Sequence, residues 1–404
     1  MKNIFLTNLA SPANPGDQAI LMGSLKLLRL LYESPRITLA TRAISQKQVY
    51  EELGCAVVPQ YPNVEYLGTD SYLKKIAKVP KAFSQYRPMR EAVQNADILF
   101  LVGGGYFYSY KKGLPGLTFL SHCTPVALAH YRKKPVVLLP QSYGPFKSAL
   151  SSWMMDLVVR ESALLFYRED LSGNWLRERY GKFCDKIIYM PDLAFMLEAS
   201  DFGVNEISDK QKCHRIGITV RPWKDAATNE DRYLRVLADA LIKLYRRTGM
   251  KIRIIVQVVR PTKTESDEWS SRKLDELLSK EIPPDALEFC MVKPFYRLSE
   301  IMALYGQCDF LIGMRLHSAI LSFIVGRPAL VTGYQHKAKG VLKTMGLEEL
   351  YLGDYDAITS ESLTHACEAM IKNQEKWSRR IKEAVRTKRG EIWTIFPEKM
   401  ERFR

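Results

Sequence analysis

Residues 97–105 read DILFLVGGG, an apolar run that ends in three glycines. An uninterrupted apolar run is typical of a strand in a parallel sheet, because helices cover both faces of that sheet. The segments 135–140 (PVVLLP), 163–167 (ALLFY) and 187–190 (IIYM) repeat the pattern, with helical segments between them. The first half of the chain therefore predicts a doubly wound α/β lobe.

A polar segment over residues 200–215 separates this lobe from a second series of apolar runs. We predict strands of the second series at 215–220, 251–257, 310–313 and 328–332. The predicted fold is α/β, with two Rossmann-like, doubly wound lobes that face a cleft, over residues 1–200 and 201–372. Residues 373–404 are predicted to form a helical tail, for which packing back on the first lobe is one option.

The composition is that of an ordinary globular protein, with 47% hydrophobic and 25% charged residues. No apolar run approaches the roughly 18 residues of a membrane span, and the first residues lack the apolar region of a signal peptide. The seven cysteines form no Cys-x-x-Cys pair, which favours reduced thiols and a cytoplasmic location. No pattern of metal ligands is visible, so we expect neither a metal ion nor a bound cofactor.

The chain carries 59 basic and 44 acidic residues, a formal net charge of +15. Such a charge indicates an anionic partner, which is a phosphate ester, an acidic membrane surface or a nucleic acid. The basic residues are spread along the chain without the aromatic spacing of a nucleic-acid module, so we expect no nucleic-acid partner. The basic face of the tail favours a solvated helix, and peripheral membrane contact stays open.

The segment GMRLHS at 313–318 follows one predicted strand and opens a helix. The start of a helix offers unpaired N–H groups to an anion, and the Arg315 guanidinium matches a phosphate or a carboxylate. His317 is able to give or take a proton near neutral pH. The alternative is structural: Arg315 pairs with a carboxylate inside the fold, and His317 is a half-buried side chain.

Three further candidates follow strands of the second lobe. Arg221 ends the first of these strands, and Tyr334 and Lys337 lie just beyond the last. The carboxyl ends of parallel strands lie on one edge of a sheet, so we expect these side chains to gather near Arg315 and His317. Each has an alternative as an ordinary surface residue.

The first lobe offers polar and glycine-rich loops. The segment NPGD at 14–17 leads into a helix, and Gly103, Gly104 and Gly105 follow a strand, as does Asp192. Glycines allow a ligand to approach the backbone, but the spaced glycine pattern of a dinucleotide site is incomplete. Asp17 has an alternative role as a helix cap.

These residues together resemble the polysaccharide pyruvyl transferase family. The similarity runs from the segment at 14–21 to Gly346 and Leu347. Its most specific parts are GMRLHS at 313–318, GRP at 326–328 and Tyr334-x-x-Lys337, and looser matches lie at 103–105, 167–172 and 192–195.

The resemblance implies a fold similar to that of the B-type glycosyltransferases and an enzyme that uses phosphoenolpyruvate as donor. The pyruvyl group would pass to a sugar of a surface polysaccharide or its precursor, lipid-linked or polymeric, as a ketal. The implied catalytic residues are His317, as the acid, and Arg315. The implied donor-binding residues are Arg221, Arg315, His317, Lys337 and Tyr334. The implied acceptor-binding residues are Asp17, Gly103, Gly104, Gly105 and Asp192.

Two other functions are compatible with the same sequence. The first is a nucleotide-sugar-dependent glycosyltransferase, because one fold hosts several activities. The second is a non-catalytic protein that binds acidic glycans through its +15 charge.

Overall fold

The computed structural model describes residues 1–9, 11–63, 80, 83–84, 86–109, 115–204, 213–222, 227–259, 266–291, 298–333, 336–354 and 356–404, without the side chains of 227–229 and 336. The chain divides into two compact units. The N-terminal unit holds Met1–Pro12, Ile20–Met196 and Gly390–Arg404, and the C-terminal unit holds Ala13–Ala19 and Leu197–Arg389.

The N-terminal unit has a parallel sheet with helices between its strands. Its strands are β1 (Asn3–Leu9), β2 (Arg36–Thr41), β3 (Ala56–Pro59), β4 (Ile98–Leu101), β5 (Gly104–Ser109), β6 (Val136–Phe146), β7 (Leu164–Tyr167) and β8 (Ile187–Tyr189). Its helices are α1 (Pro15–Leu31), α2 (Lys47–Glu51), α3 (Tyr86–Asn95), α4 (Leu117–Tyr131), α5 (Ala149–Glu161) and α6 (Asp170–Tyr180). The strand order is β3-β2-β1-β4-β6-β7-β8, and β5 pairs with β6. β4 and β7 bury every residue, as expected of strands covered on both faces.

The C-terminal unit repeats this architecture. Its strands are β9 (Arg215–Thr219), β10 (Lys251–Ile255), β11 (Leu287–Cys290), β12 (Phe310–Gly313), β13 (Ala329–Gly333) and β14 (Tyr351–Asp354). Its helices are α7 (Ala227–Thr248), α8 (Glu268–Leu278), α9 (Leu298–Gly306), α10 (Leu316–Ile324), α11 (His336–Thr344), α12 (Ser360–Lys372) and α13 (Gln374–Met400), the last of which continues into the N-terminal unit. The order β11-β10-β9-β12-β13-β14 is again parallel. The predicted pair of doubly wound lobes is confirmed.

The end of the chain is part of the N-terminal core. Phe396 is fully buried, and its ring centroid lies 6.3 Å from that of Phe100 and 6.0 Å from that of Phe166. The Arg402 guanidinium donates a hydrogen bond to the carbonyl oxygen of Ala163 at 2.9 Å. Apolar side chains at successive turns of α13 thus place residues 390–404 within this unit.

The bounds of the compact units are not those of the predicted ranges. The N-terminal unit reaches Met196, the C-terminal unit reaches Arg389, and the segment Ala13–Ala19 groups with the C-terminal unit. The physical reason for the grouping of Ala13–Ala19 is a close contact between Gly16 and His317, described below.

Each sheet has one point at which the chain reverses its direction of winding. This point lies between β1 and β4 in the N-terminal unit and between β9 and β12 in the C-terminal unit. In open α/β sheets, ligands bind outside the carboxyl ends of the strands at such points. The fold therefore directs attention to the residues that follow these four strands.

Within the described ranges, no helix combines the length and the apolar character needed to cross a bilayer. Over the same residues, no group of three or more His, Cys, Asp or Glu side chains is placed to hold a metal ion.

Candidate functional site

Arg315 lies at the carboxyl end of β12, immediately before α10. Its backbone is extended (φ −115°, ψ 138°), and its carbonyl oxygen accepts a hydrogen bond from the Ser318 amide at 3.0 Å. The amide of Met314 donates to the Thr219 carbonyl oxygen of β9 at 3.3 Å. These bonds hold the turn after β12 beside the end of β9, at the switch point of the C-terminal sheet.

The Arg315 guanidinium forms a two-bond ion pair with Asp267. Its Nε donates to Asp267 Oδ2 at 2.9 Å, and its Nη2 donates to Oδ1. The Asp267 side chain is fully buried, whereas that of Arg315 is 19% exposed. The pair uses one edge of the guanidinium and leaves Nη1 outside it. The structural alternative for Arg315 was a carboxylate partner inside the fold. It accounts for two of the three guanidinium nitrogens, Nε and Nη2.

Backbone hydrogen bonds hold Asp267 in place. Its amide donates to the Val258 carbonyl oxygen at 2.7 Å, and the Val258 amide donates to Asp267 Oδ2 at 3.0 Å. Burial raises the pKa of the Asp267 carboxyl, and the positive charges of Arg315 and Arg221 oppose that shift. Arg221 is thus close enough to act on the same carboxylate, although it follows a different strand.

A buried chain of hydroxyl and amide groups supports the same turn. The hydroxyls of Thr219 and Ser318 lie 2.8 Å apart, and Ser318 donates to Gln257 Oε1. Tyr305 donates to that oxygen at 3.2 Å. The Gln257 Nε2 atom is buried and has no hydrogen-bond partner among the residues that the structure describes. The start of α10 is therefore fixed by the side chain that ends β9 and by one that follows β10.

His317 is half-buried in the first turn of α10 and lies against the backbone of Gly16. A Cβ atom at Gly16 would lie 2.6 Å from Cγ and 2.7 Å from Nδ1 of the imidazole. Asn14 shapes this turn, since its Oδ1 accepts from the Gly16 amide at 3.1 Å and its Nδ2 donates to Asp17 Oδ2 at 2.9 Å. The NPGD segment thus places the beginning of α1 beside His317. Asp17, which is bonded to Asn14, belongs to the same turn.

The other two predicted donor residues follow β13. Lys337 lies half-buried in the first turn of α11. Tyr334 lies outside the residues that the structure describes.

The structure places Asp192, a predicted acceptor residue, in a buried network of the N-terminal unit. Its Oδ2 accepts from Arg168 Nη1 at 2.5 Å, and its Oδ1 accepts from the Ala194 amide at 2.9 Å. Arg168 Nε also donates to Ser142 Oγ at 3.1 Å and lies 3.8 Å from Glu169 Oε2. Arg168 and both carboxylates are at most 4% exposed. These contacts give Asp192 a structural role.

Two of the three glycines after β4, Gly103 and Gly104, pack closely against their neighbours. A Cβ atom at Gly103 would lie 2.1 Å from the Pro140 carbonyl oxygen. Gly104 has a φ of +139°, which favours glycine, and together with Gly105 it begins β5. Strand packing therefore explains Gly103 and Gly104.

Sequence reasoning missed Gln257 and Asp267, and it named Gly16 only within the NPGD segment of the first lobe, not as a neighbour of His317. Gln257 shares the position of Arg221, shortly after a strand that ends at the ligand edge of the sheet. Asp267 does not directly follow a strand. It lies nine positions after Val258, to which it is bonded, so its place in the sequence does not mark it as a site residue.

The fold is shared with solved structures of two kinds of enzyme. The chain is similar to the UDP-GlcNAc 2-epimerase of Neisseria meningitidis bound to UDP-GlcNAc, with 13% identity over 96% of this chain and 98% of that one and a TM-score of 0.55. It is also similar to a glycosyltransferase of Rickettsia africae, with 12% identity over 99% and 96% of the two chains and a TM-score of 0.58. Identities at this level show the fold alone, which is that of the B-type glycosyltransferases, as predicted.

The family model for polysaccharide pyruvyl transferase matches residues 14–336. The chain belongs to this family, and the predicted resemblance is confirmed. The amylovoran biosynthesis protein AmsJ of Erwinia amylovora is 26% identical over 331 residues, which are 79% of this chain and 75% of that protein.

Proposed function

We propose that this protein transfers the pyruvyl group of phosphoenolpyruvate to two hydroxyls of a sugar, in a surface polysaccharide or its precursor, and forms a cyclic ketal. Family membership and the relationship to an exopolysaccharide biosynthesis protein support a transferase that modifies polysaccharide. The observation that carries the finer statement is the ion pair of Arg315 with Asp267 at the switch point of the C-terminal sheet, with the positive charge of Arg221 near enough to act on the same carboxylate.

The charges at this point suit a small dianionic or trianionic donor. Two guanidinium groups and one carboxylate leave one net positive charge, to which the beginning of α10 adds the positive end of a helix dipole. Arg315 is oriented by Asp267 through Nε and Nη2, so Nη1 is the atom available to the phosphate or carboxylate of the donor. The ion pair lowers the cost of ordering Arg315 when the donor binds.

His317 is the acid in the proposed reaction. It gives a proton to the methylene carbon of phosphoenolpyruvate, and the adjacent carbon becomes a cationic centre stabilised by its oxygen. One sugar hydroxyl attacks this centre, and its proton restores His317. Phosphate leaves with the electrons of its C–O bond, the second hydroxyl attacks, and the released phosphate takes up the proton of that hydroxyl. The products are one ketal and one phosphate. The activated group comes with the donor, so no bound cofactor is required.

The contact between Gly16 and His317 has a role in this scheme. Protonation of a carbon atom requires that the acid be directed at one face of the double bond. The Gly16 backbone restricts the imidazole on one side, so that the ring is held rather than free to rotate. The contact explains why residue 16 is glycine, because any side chain at this position would occupy the space of the His317 ring.

The test is calorimetric titration of phosphoenolpyruvate into the wild type and Arg315→Ala at fixed ionic strength, with UDP-glucose as the control ligand. We expect saturable binding of phosphoenolpyruvate that is lost or weakened in the variant. Heat from UDP-glucose alone would favour a nucleotide-sugar glycosyltransferase. Absence of heat from both ligands, repeated in the presence of sugar acceptors, would favour the non-catalytic alternative.

A further inference from the structure

A second group of polar residues lies at the carboxyl edge of the N-terminal sheet. We call it the Asn8 cluster, and it consists of Asn8, Gln60, Ser121 and His122. The Asn8 amide donates to Gln60 Oε1 at 3.1 Å, and Gln60 Nε2 donates to Asn8 Oδ1 and to the Ser121 carbonyl oxygen, both at 2.8 Å. All four side chains are buried.

Several polar atoms of the Asn8 cluster are unsatisfied. Asn8 Nδ2, Ser121 Oγ and His122 Nδ1 are shielded from solvent and have no hydrogen-bond partner among the described residues. A buried polar group without a partner costs about 1–3 kcal/mol. Three such atoms in one cluster indicate that a molecule absent from the protein chain completes their hydrogen bonds.

The backbone at Asn8 is also unusual. Its φ of 66° is in the left-handed region, which asparagine adopts more readily than most residues and which is concentrated at functional sites. Asn8 lies near the end of β1, one of the two strands at the switch point of this sheet. The position is the one at which the fold predicts a ligand.

An aromatic ring and a cation lie over the cluster. The ring centroids of Tyr106 and His122 are 5.0 Å apart, with 31° between their planes. The Arg42 guanidinium lies 5.6 Å from the centroid of Tyr106. Burial lowers the pKa of His122 well below its usual value, and the charge of Arg42 adds to this effect. His122 is therefore a neutral imidazole, which both donates and accepts.

We propose that the Asn8 cluster binds a neutral pyranose ring of the acceptor, with Tyr106 as the stacking surface. Sugar hydroxyls both donate and accept, as Ser121 and the neutral His122 do, and Asn8 Nδ2 supplies a further donor. The four residues of the cluster carry no charge, as expected of a site whose ligand is neutral. Entry of the sugar requires the Tyr106 ring to move from the face of His122.

This inference rests on the proposed function, which makes the acceptor a sugar. It adds a set of residues, none of which the sequence singled out. Binding of a free glycoside and binding of the donor are separate measurements, so failure of one proposal is distinguishable from failure of the other.

The experiment is saturation-transfer NMR with methyl glycosides of glucose, galactose, mannose and N-acetylglucosamine, together with calorimetric titration of phosphoenolpyruvate into the same proteins. Ser121→Ala removes a hydroxyl for which the described residues offer no partner. We expect it to weaken glycoside binding about tenfold, the value of one hydrogen bond, and to leave donor affinity unchanged. His122→Phe, which keeps an aromatic side chain but removes both nitrogens, should weaken glycoside binding at least as much.

Ser162→Ala is the matched control. Ser162 is buried in the same unit, and its Oγ donates to the Val158 carbonyl oxygen at 2.6 Å. We expect a lower melting temperature with unchanged glycoside affinity. The proposal is overturned if no glycoside binds to the wild type, or if Ser121→Ala binds glycosides as the wild type does. The latter result would assign a buried water to the cluster. If the wild type bound glycosides but did not bind phosphoenolpyruvate, the proposed function would be overturned and the sugar site would stand.

Discussion

Each unit contains a buried aspartate paired with an arginine beside the carboxyl edge of its sheet, and the two pairs differ in charge and exposure. Arg168 is 4% exposed and lies between two carboxylates, those of Asp192 and Glu169. Arg315 is 19% exposed and pairs with the single carboxylate of Asp267, on which the positive charge of Arg221 also acts. The first group has a net negative charge and is closed to solvent, whereas the second has a net positive charge and an exposed guanidinium edge. An arginine–aspartate pair therefore indicates an anion site only where positive charge is in excess and part of it reaches solvent.

The largest expected effect concerns His317, the proposed acid, which lies two residues after Arg315. His317→Ala should lower turnover by about 10²–10⁴-fold, the usual contribution of a general acid. The dissociation constant of phosphoenolpyruvate should change far less, because the arginines remain. Phosphate release measures turnover, and calorimetry measures binding. The matched control is His365→Ala, which removes an exposed histidine of the same unit. Wild-type turnover in the His317 variant would refute the assignment.

The next effect compares the two arginines directly. Arg315→Ala should weaken phosphoenolpyruvate binding about ten- to a hundredfold, because a charge-assisted hydrogen bond contributes about 1.5–3 kcal/mol. Arg168→Ala should leave donor affinity unchanged and instead lower the free energy of unfolding by about 3–5 kcal/mol, since it leaves buried carboxylates without their partner. Calorimetry and thermal denaturation of both variants measure the two quantities. If both variants lost the same donor affinity and the same stability, the charge and exposure of the two arginine groups would not distinguish an anion site from a structural ion pair.

A smaller effect is expected at Gly16. The Cβ of Gly16→Ala would meet the imidazole of His317, so the ring must turn away from its present position. We expect turnover to fall about tenfold, within the range that misplacement of a catalytic group causes, with little change in donor affinity. Gly390→Ala is the control, because its Cβ would have no atom within 4 Å. Equal turnover in both variants would show that the ring does not depend on this contact.

The smallest effect contrasts the buried histidine of the N-terminal unit with exposed ones. The pKa of His122 is lowered in the folded protein, so below about pH 6.5 the unfolded chain binds a proton that the folded protein does not. The free energy of unfolding should therefore decrease as the pH falls below that value, by up to about 1.4 kcal/mol per pH unit. His122→Phe should reduce this slope, and His365→Ala should retain it. Urea denaturation at several pH values provides the measurement.

The sequence predicted the parts of this structure that depend on local patterns. The apolar runs predicted the strands that are covered on both faces, such as β4 and β7, because such strands do not alternate with polar residues. They did not predict partly exposed strands such as β5 and β11. The positions of Arg315 and His317 followed from a strand that leads into a helix.

Contacts between distant segments were beyond sequence reasoning. Asp267 lies 48 residues before Arg315, and no local pattern distinguishes it from other acidic residues. Gly103 and Asp192 are predicted acceptor residues, and only the structure shows that Gly103 packs against Pro140 and that Asp192 is bonded to Arg168. Glycine and aspartate serve structural and functional purposes with the same local pattern, and only their neighbours separate the two.

Neither unit is one continuous stretch of the chain, and this limits how the protein can be divided. Residues 13–19 belong to the C-terminal unit, and residues 390–404 belong to the N-terminal unit. A fragment made of residues 1–196 would lack Phe396, whose ring centroid lies 6.3 Å from that of Phe100 and 6.0 Å from that of Phe166. A fragment made of residues 197–389 would lack the segment that places Gly16 against His317. A single cut between the units therefore leaves both of them incomplete.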